Sequence, residues 1–203
     1  MPRLPPADFH SARLDLTQVA AGARYGRICH QRYPNPLGYG KTLSRFSDPR
    51  KRAIPDNLLF GVLYLGTSLN VCFVETILRD RRNGIIGDFP IPESELRVRQ
   101  YALIEVGIGL NLVDLTGNGA LRIGMPSDVL RGSRQGAARH WSLAFYDHSA
   151  APDGIMYPSR LNGETNLAIY DRAVPKLGVG RTCELINAPG LAGVLTDLGV
   201  ALA

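Results

Sequence analysis

The sequence contains little cysteine, and the cysteines it has are not arranged to bind metal or form disulfides. Cys29, Cys72 and Cys183 are spread over 203 residues. An odd number without a close pair argues against a disulfide scaffold and against a cysteine-based zinc site. The four histidines never lie four residues apart, and no HExxH motif is present. We therefore expect no metal site and a reducing, cytoplasmic setting.

Long apolar runs are also missing. The first residues carry three prolines and no apolar stretch of signal-peptide length. The uncharged segment 57–74 approaches the length of a membrane span, but glycines and polar residues interrupt its centre. We interpret it as a buried strand followed by a helix and expect no membrane association.

Lysine is scarce too, because only three of the 23 basic residues are lysines. With 18 acidic residues the formal net charge is +5. Arginine suits two-pronged recognition of phosphate and carboxylate. We attribute the excess of arginine over lysine mainly to a GC-rich genome. Binding of a ligand that carries phosphate is the alternative explanation.

Hydropathy patterns predict a mixed order of strands and helices. Strands are predicted at 24–30, 58–65, 97–106, 112–115, 154–158, 166–170 and 183–186, and helices at 11–21, 69–81, 133–148 and 189–202. Because strands and helices do not alternate regularly, the sequence predicts an α+β fold with a mixed sheet. Its length fits a single domain, residues 23–203, preceded by a loosely packed N-terminal arm, residues 1–22.

Two common catalytic or nucleotide-binding motifs are incomplete or missing. Residues 35–42 match the phosphate-binding loop except at the first position, where Asn35 replaces glycine. No predicted strand leads into this segment, and Pro49 stops the helix that should follow it. The G-x-S-x-G motif of serine hydrolases is missing.

A group of arginines suggests a different class of function. We place Arg131, Arg134 and Arg139 on a helix with Trp141. They fit a solvated helix face over a buried tryptophan, which we favour, or a nucleic-acid-binding module.

Several polar residues lie where polarity is costly. Tyr64 interrupts an apolar strand, Glu75 lies beside the apolar stripe of the next helix, Arg45 belongs to a long irregular connection, and Ser159 ends a strand. They could line a cleft. Each also has a structural explanation, as core aromatic, exposed charge, loop ion pair or turn former, and periodicity leaves both interpretations open.

Four ordered blocks resemble a known family. They are YGRI at 25–28, LSRFSDP at 43–49, LYL at 63–65 with VET at 74–76, and IMYPSR at 155–160 with ETNL at 164–167. The sequence resembles the RES-domain proteins, named for an Arg, a Glu and a Ser, which are the toxins of bacterial RES–Xre toxin–antitoxin pairs. The resemblance runs from about residue 24 to residue 172.

The resemblance implies a fold like that of ADP-ribosyltransferase toxins and an enzyme that cleaves NAD⁺ at the nicotinamide–ribose bond. The products would be those of hydrolysis or phosphorolysis, with depletion of cellular NAD⁺, or an ADP-ribosylated host protein. NAD⁺ is then the substrate, and no metal or bound cofactor is needed. The implied partners are an antitoxin with an Xre-type DNA-binding domain that blocks the cleft and a possible protein target, and a homo-oligomer is left open.

The resemblance also assigns roles to six residues. By this comparison Arg45, Glu75 and Ser159 are the residues that name the family, and Tyr64 matches the tyrosine of the strand before the glutamate. We expect catalysis from Arg45, Tyr64, Glu75 and Ser159, and NAD⁺ binding by Arg27 and Asn166.

Overall fold

The computed structural model describes residues 4–203, which form ten strands and six α-helices. The strands are β1 (Leu16–Val19), β2 (Arg24–His30), β3 (Val62–Gly66), β4 (Phe89–Ile91), β5 (Arg99–Val106), β6 (Leu110–Asp114), β7 (Gly154–Pro158), β8 (Thr165–Tyr170), β9 (Leu177–Glu184) and β10 (Val200–Leu202). The helices are α1 (Leu69–Phe73), α2 (Glu93–Arg97), α3 (Gly119–Arg122), α4 (Ser127–Arg131), α5 (Gly136–Tyr146) and α6 (Leu191–Asp197). The predicted α+β class is confirmed. Within residues 4–203, no helix is long and apolar enough to cross a membrane.

Eight strands form one mixed sheet in the order β1-β6-β7-β8-β3-β2-β5-β9, while β4 and β10 form a separate parallel pair. Neighbours in the large sheet are antiparallel except β6 and β7. Strand β3 pairs with β8 along five residues, but it pairs with β2 only through Gly26 and Gly66. The two halves of the sheet therefore diverge between β2 and β3, and a cleft opens there.

The core covers both faces of this sheet. On one face, α5 packs Trp141 and Phe145 against a cluster that includes Phe46 and Tyr170. A second hydrophobic cluster contains Phe73 of α1 together with residues of α2 and α6. Each of these five side chains is fully buried, so both clusters are well-packed parts of the core.

The helix predicted at 11–21 is wrong. Residues Leu16–Val19 form a strand that pairs antiparallel with β6 at the edge of the main sheet. The preceding segment is not loosely packed, since Phe9 is 3% exposed and its ring centre lies 5.1 Å from that of Trp141. Residues 1–3 of the predicted arm lie outside the described residues.

Several other boundaries differ from the sequence prediction, and three of them show the physical reason. The helix predicted at 69–81 becomes π-helical at Val74–Leu78 and ends there. The strand predicted at 183–186 is the end of the earlier strand β9, and the terminal helix stops at Asp197, before β10. In each case pairing with a distant strand or a change in helical pitch overrides the local pattern.

Candidate active site

The cleft between β2 and β3 has a volume of about 400 Å³, within the range of small-molecule sites. Five of the six residues assigned by resemblance line it: Arg27, Arg45, Tyr64, Glu75 and Asn166. The sixth, Ser159, lies behind the wall and contacts Glu75. The structure thus brings all six together from five separate segments of the chain.

Glu75 owes its position to an unusual turn. Ser68 caps the N-terminus of α1 by accepting a 3.0 Å hydrogen bond from the amide of Val71. The helix then widens, and the amide of Arg79 donates to the carbonyl oxygen of Val74, five residues back, at 2.7 Å. π-Helical turns are frequent at functional sites. Here the turn carries Glu75 to the cleft, as its place beside the apolar stripe suggested.

One oxygen of the Glu75 carboxylate is held by two buried donors. Ser159 Oγ donates to Glu75 Oε1 at 2.7 Å, and Asn166 Nδ2 donates to the same oxygen at 3.2 Å. Ser159 is 1% exposed and Asn166 5% exposed. Oε2 accepts no hydrogen bond from any residue between 4 and 203. The carboxylate is therefore oriented on one side and available on the other.

Tyr64 joins strand β3 to the long connection that carries Arg45. Its hydroxyl accepts a 2.9 Å hydrogen bond from the amide of Phe46 and lies 2.8 Å from Ser44 Oγ. Burial raises the pKa of Tyr64, so the residue stays a neutral phenol at physiological pH. It offers the cleft an aromatic face and braces the neighbouring loop.

Arg45 and Arg27 are both anchored to backbone. Arg45 is 9% exposed and donates to the carbonyl oxygens of Val129 at 3.2 Å and Gly132 at 3.0 Å. Arg27 donates to the carbonyl oxygen of Pro36. Burial lowers the pKa of both guanidinium groups. Since a guanidinium has five N–H donors, each arginine keeps donors for a ligand after these bonds.

An ion pair that was not predicted from the sequence lies in the same cleft. Arg160 Nη2 lies 2.5 Å from Asp80 Oδ2, and both residues belong to the cleft lining together with Arg79. Arg160 directly follows Ser159, which is the one local signal that could have marked it. Nothing in the sequence connects it with Asp80, because the two lie 80 residues apart.

The competing interpretations find less support. Among residues 4–203, no cluster of three or more His, Cys, Asp or Glu residues could hold a metal ion. No helix follows Thr42, as a phosphate-binding loop would require. The single arginine helix was also wrong: Arg131 ends α4, Arg134 lies between helices, and only Arg139 belongs to α5, where it donates to the carbonyl oxygen of Ser44.

A mixed sheet that divides around a polar cleft defines this chain as a single-domain α+β protein with a candidate ligand-binding cleft. More particularly, the chain belongs to the RES-domain family, whose model, described as RES domain, matches residues 19–184.

Two known proteins are similar to this chain. "Probable toxin y4kH" of Sinorhizobium fredii is 39% identical over 126 residues, which cover 62% of this chain and 99% of that protein. The crystal structure of the M. tuberculosis MbcT–MbcA toxin–antitoxin complex matches with a TM-score of 0.55 at 18% identity, covering 89% of this chain and 92% of the matched chain. The second similarity shows a shared fold.

Proposed function

We propose that this protein is the toxin of a toxin–antitoxin pair and that it breaks the nicotinamide–ribose bond of NAD⁺ in the cytoplasm. The toxin role is supported by membership of the RES-domain family and by a relative named as a probable toxin. One observation carries the chemistry: the Glu75 carboxylate, fixed through Oε1 by Ser159 and Asn166, faces a cleft that is lined by four arginines.

The proposed reaction uses that carboxylate electrostatically. As the bond to nicotinamide lengthens, positive charge develops on the ribose, as in glycoside cleavage. A preoriented anion stabilises such charge without reorganising during the reaction. In this proposal Glu75 Oε2 accepts a hydrogen bond from a ribose hydroxyl, while Oε1 stays bound to Ser159 and Asn166. Nicotinamide leaves with the bonding electron pair.

The other residues hold the substrate. Arg27 and Arg45 have free N–H donors for the pyrophosphate, and charge-assisted bonds of this kind are strong and directional. Tyr64 would pack its ring against nicotinamide or ribose. The ADP-ribosyl cation is then captured by water, by inorganic phosphate or by a nucleophilic side chain of a host protein, and the acceptor loses its proton to solvent.

Nicotinamide release from NAD⁺ by the purified chain tests the proposal. We expect Glu75→Gln to lower the rate by about 100-fold or more, the size of effect seen when one preorganised electrostatic group is removed. Glu184→Gln, an exposed change on β9, is the matched control and should leave the rate unchanged. A fully active Glu75→Gln protein would contradict the role of the carboxylate.

The same assay identifies the acceptor. Release by the chain alone indicates a glycohydrolase, and release that requires phosphate indicates a phosphorylase. Release only in the presence of cell lysate, with label from NAD⁺ appearing on a protein, indicates the alternative, an ADP-ribosyltransferase. No release under any of these conditions would refute the proposed reaction and favour the nucleic-acid-binding alternative, which predicts a steeply salt-dependent affinity for DNA.

We also propose an antitoxin with an Xre-type DNA-binding domain as the partner, because the solved structural neighbour comes from a toxin–antitoxin complex. Binding of such a protein over the cleft should abolish nicotinamide release in proportion to its concentration. Full activity in a saturated complex would contradict the proposed mode of inhibition.

A further inference from the structure

The ion pair of Arg160 and Asp80 lies where the cleft meets solvent. Arg160 Nη2 lies 2.6 Å from Asp80 Oδ1 and 2.5 Å from Oδ2. The side chain of Arg160 is 23% exposed and that of Asp80 is 54% exposed. Ser159, the residue before Arg160, is 1% exposed and bound to Glu75. One peptide unit thus connects the buried carboxylate site with an arginine at the mouth.

Another anion can readily replace Asp80 as the partner of Arg160. An ion pair that is open to water contributes little net stability, because solvent screens the attraction and both side chains lose freedom. The Arg160 bond holds the pKa of Asp80 below its ordinary value, so the carboxylate is ionised at neutral pH. A pyrophosphate as a whole carries more negative charge than this carboxylate, and it and inorganic phosphate both offer more acceptor oxygens. Either can therefore compete for Arg160.

The charges around the pair favour an anion. Four arginines line the cleft, against the two carboxylates Glu75 and Asp80. Burial, together with the nearby positive charge of Arg160, lowers the pKa of Arg45. Two guanidinium groups that repel each other across a cleft are stabilised by a negative ligand placed between them.

The backbone next to Asp80 is strained. Arg79 has a φ of 44°, a conformation that non-glycine residues rarely adopt. Its amide and its Nε are held by the carbonyl oxygens of Val74 and Glu75 at 2.7 and 3.0 Å. Strain of this kind concentrates at ligand clamps and switches.

We propose that Arg160 is a phosphate-binding residue at the mouth of the cleft, where Asp80 occupies the anion position until a ligand phosphate displaces it. The identity of the ligand rests on the proposed function, whereas the anion position rests on the charges and contacts above. The phosphate could belong to the dinucleotide or be free inorganic phosphate that acts as the acceptor.

Equilibrium binding by calorimetry tests this assignment, with ADP-ribose, inorganic phosphate and adenosine as separate probes. We expect Arg160→Gln to weaken ADP-ribose binding about tenfold, as for the loss of a charge-assisted hydrogen bond. We expect Asp80→Asn to strengthen it about threefold, because the competing anion is gone while the side chain keeps its shape. Arg181→Gln, an exposed change on β9, should have no effect, and adenosine should not distinguish the variants.

The two substitutions are expected to change the affinity for ADP-ribose in opposite directions, and this difference tests the assignment. A weaker Asp80→Asn protein, or unchanged binding in Arg160→Gln, would overturn the assignment, as would a native protein that binds neither ADP-ribose nor phosphate. If ADP-ribose binds with equal affinity to all variants, this subsite fails while the proposed function stands. If the affinity for inorganic phosphate alone changes in opposite directions in the two variants, Arg160 binds free phosphate and not the phosphate of the dinucleotide. Circular dichroism of each variant checks that the fold is intact.

Discussion

Ser159 Oγ donates a 2.7 Å hydrogen bond to Glu75 Oε1, although the two residues are 84 positions apart in the chain. The hydroxyl is buried and also accepts a hydrogen bond from the amide of Leu161 at 3.1 Å. Its role is therefore to orient: it fixes one carboxylate oxygen and, at the same time, the first turn of the β7–β8 loop. In the proposed reaction, substrate contact is made by the opposite carboxylate oxygen.

Replacing this hydroxyl should reduce turnover more than substrate binding. We expect Ser159→Ala to lower kcat for nicotinamide release about tenfold or more with little change in KM, because one hydrogen bond to a charged group is lost. Ser94→Ala, at an exposed position of α2, is the control. A rise in KM at constant kcat would instead indicate that Ser159 contributes ground-state binding.

Helix α1 leaves no room for a side chain at Gly66, the residue through which β3 pairs with β2. An added Cβ would lie 2.6 Å from Val71 Cγ1 and 2.7 Å from Cys72 Sγ. We expect Gly66→Ala to lower the free energy of unfolding by about 1–3 kcal/mol through overpacking. Gly193→Ala on α6 meets no atom within 4 Å and should leave stability equal or higher. Urea unfolding of both variants measures the difference, and equal stability of Gly66→Ala and the native protein would contradict this interpretation.

Alkaline conditions should destabilise the fold through buried groups beside the cleft. Burial raises the pKa of the Cys72 thiol from 9.0 to about 12 and that of the Tyr101 hydroxyl from 10.0 to about 12. Because both folded-state values are raised, the unfolded chain loses these protons first. The stability they contribute is complete below pH 9.0 and is lost as the pH rises towards about 12.

The measurement is the free energy of unfolding in urea from about pH 7 to about pH 11, where one such group lowers stability by at most about 1.4 kcal/mol per pH unit. Cys72→Ala should flatten the decline that begins near pH 9.0, while Cys29→Ala at a partly exposed position should not. A stability that is independent of pH over this range would show that these groups remain protonated in both states or titrate alike.

Elements with a strong local pattern could be predicted from the sequence. The strands at Arg24–His30 and Gly154–Pro158 have the predicted bounds, because their burial follows from residues that are adjacent in the chain. Strand β1 could not be predicted in this way. Three of its four residues are exposed or half-exposed, and only pairing with the distant strand β6 makes them a strand.

The candidate site likewise has residues that the sequence predicts and contacts between distant residues that it does not predict. Family blocks and unexpected polarity marked Glu75, Ser159 and Tyr64, which the fold gathers around one cleft. The partnership of Arg160 with Asp80 left no trace in the sequence, since it depends on how the β7–β8 loop meets the end of the π-helical turn. The backbone partners of Arg45 were equally hidden, because Gly132 lies 87 residues away.

The pairing of β3 with β8 has a consequence for folding during synthesis. Strand β3 is made early, yet its principal neighbour is β8, which ends at Tyr170. Strand pairings between distant segments form late and slowly. A nascent chain that ends between residues 75 and 165 carries Glu75 without the Asn166 that hydrogen-bonds to it. We therefore expect the complete cleft to form only after most of the chain has been synthesised.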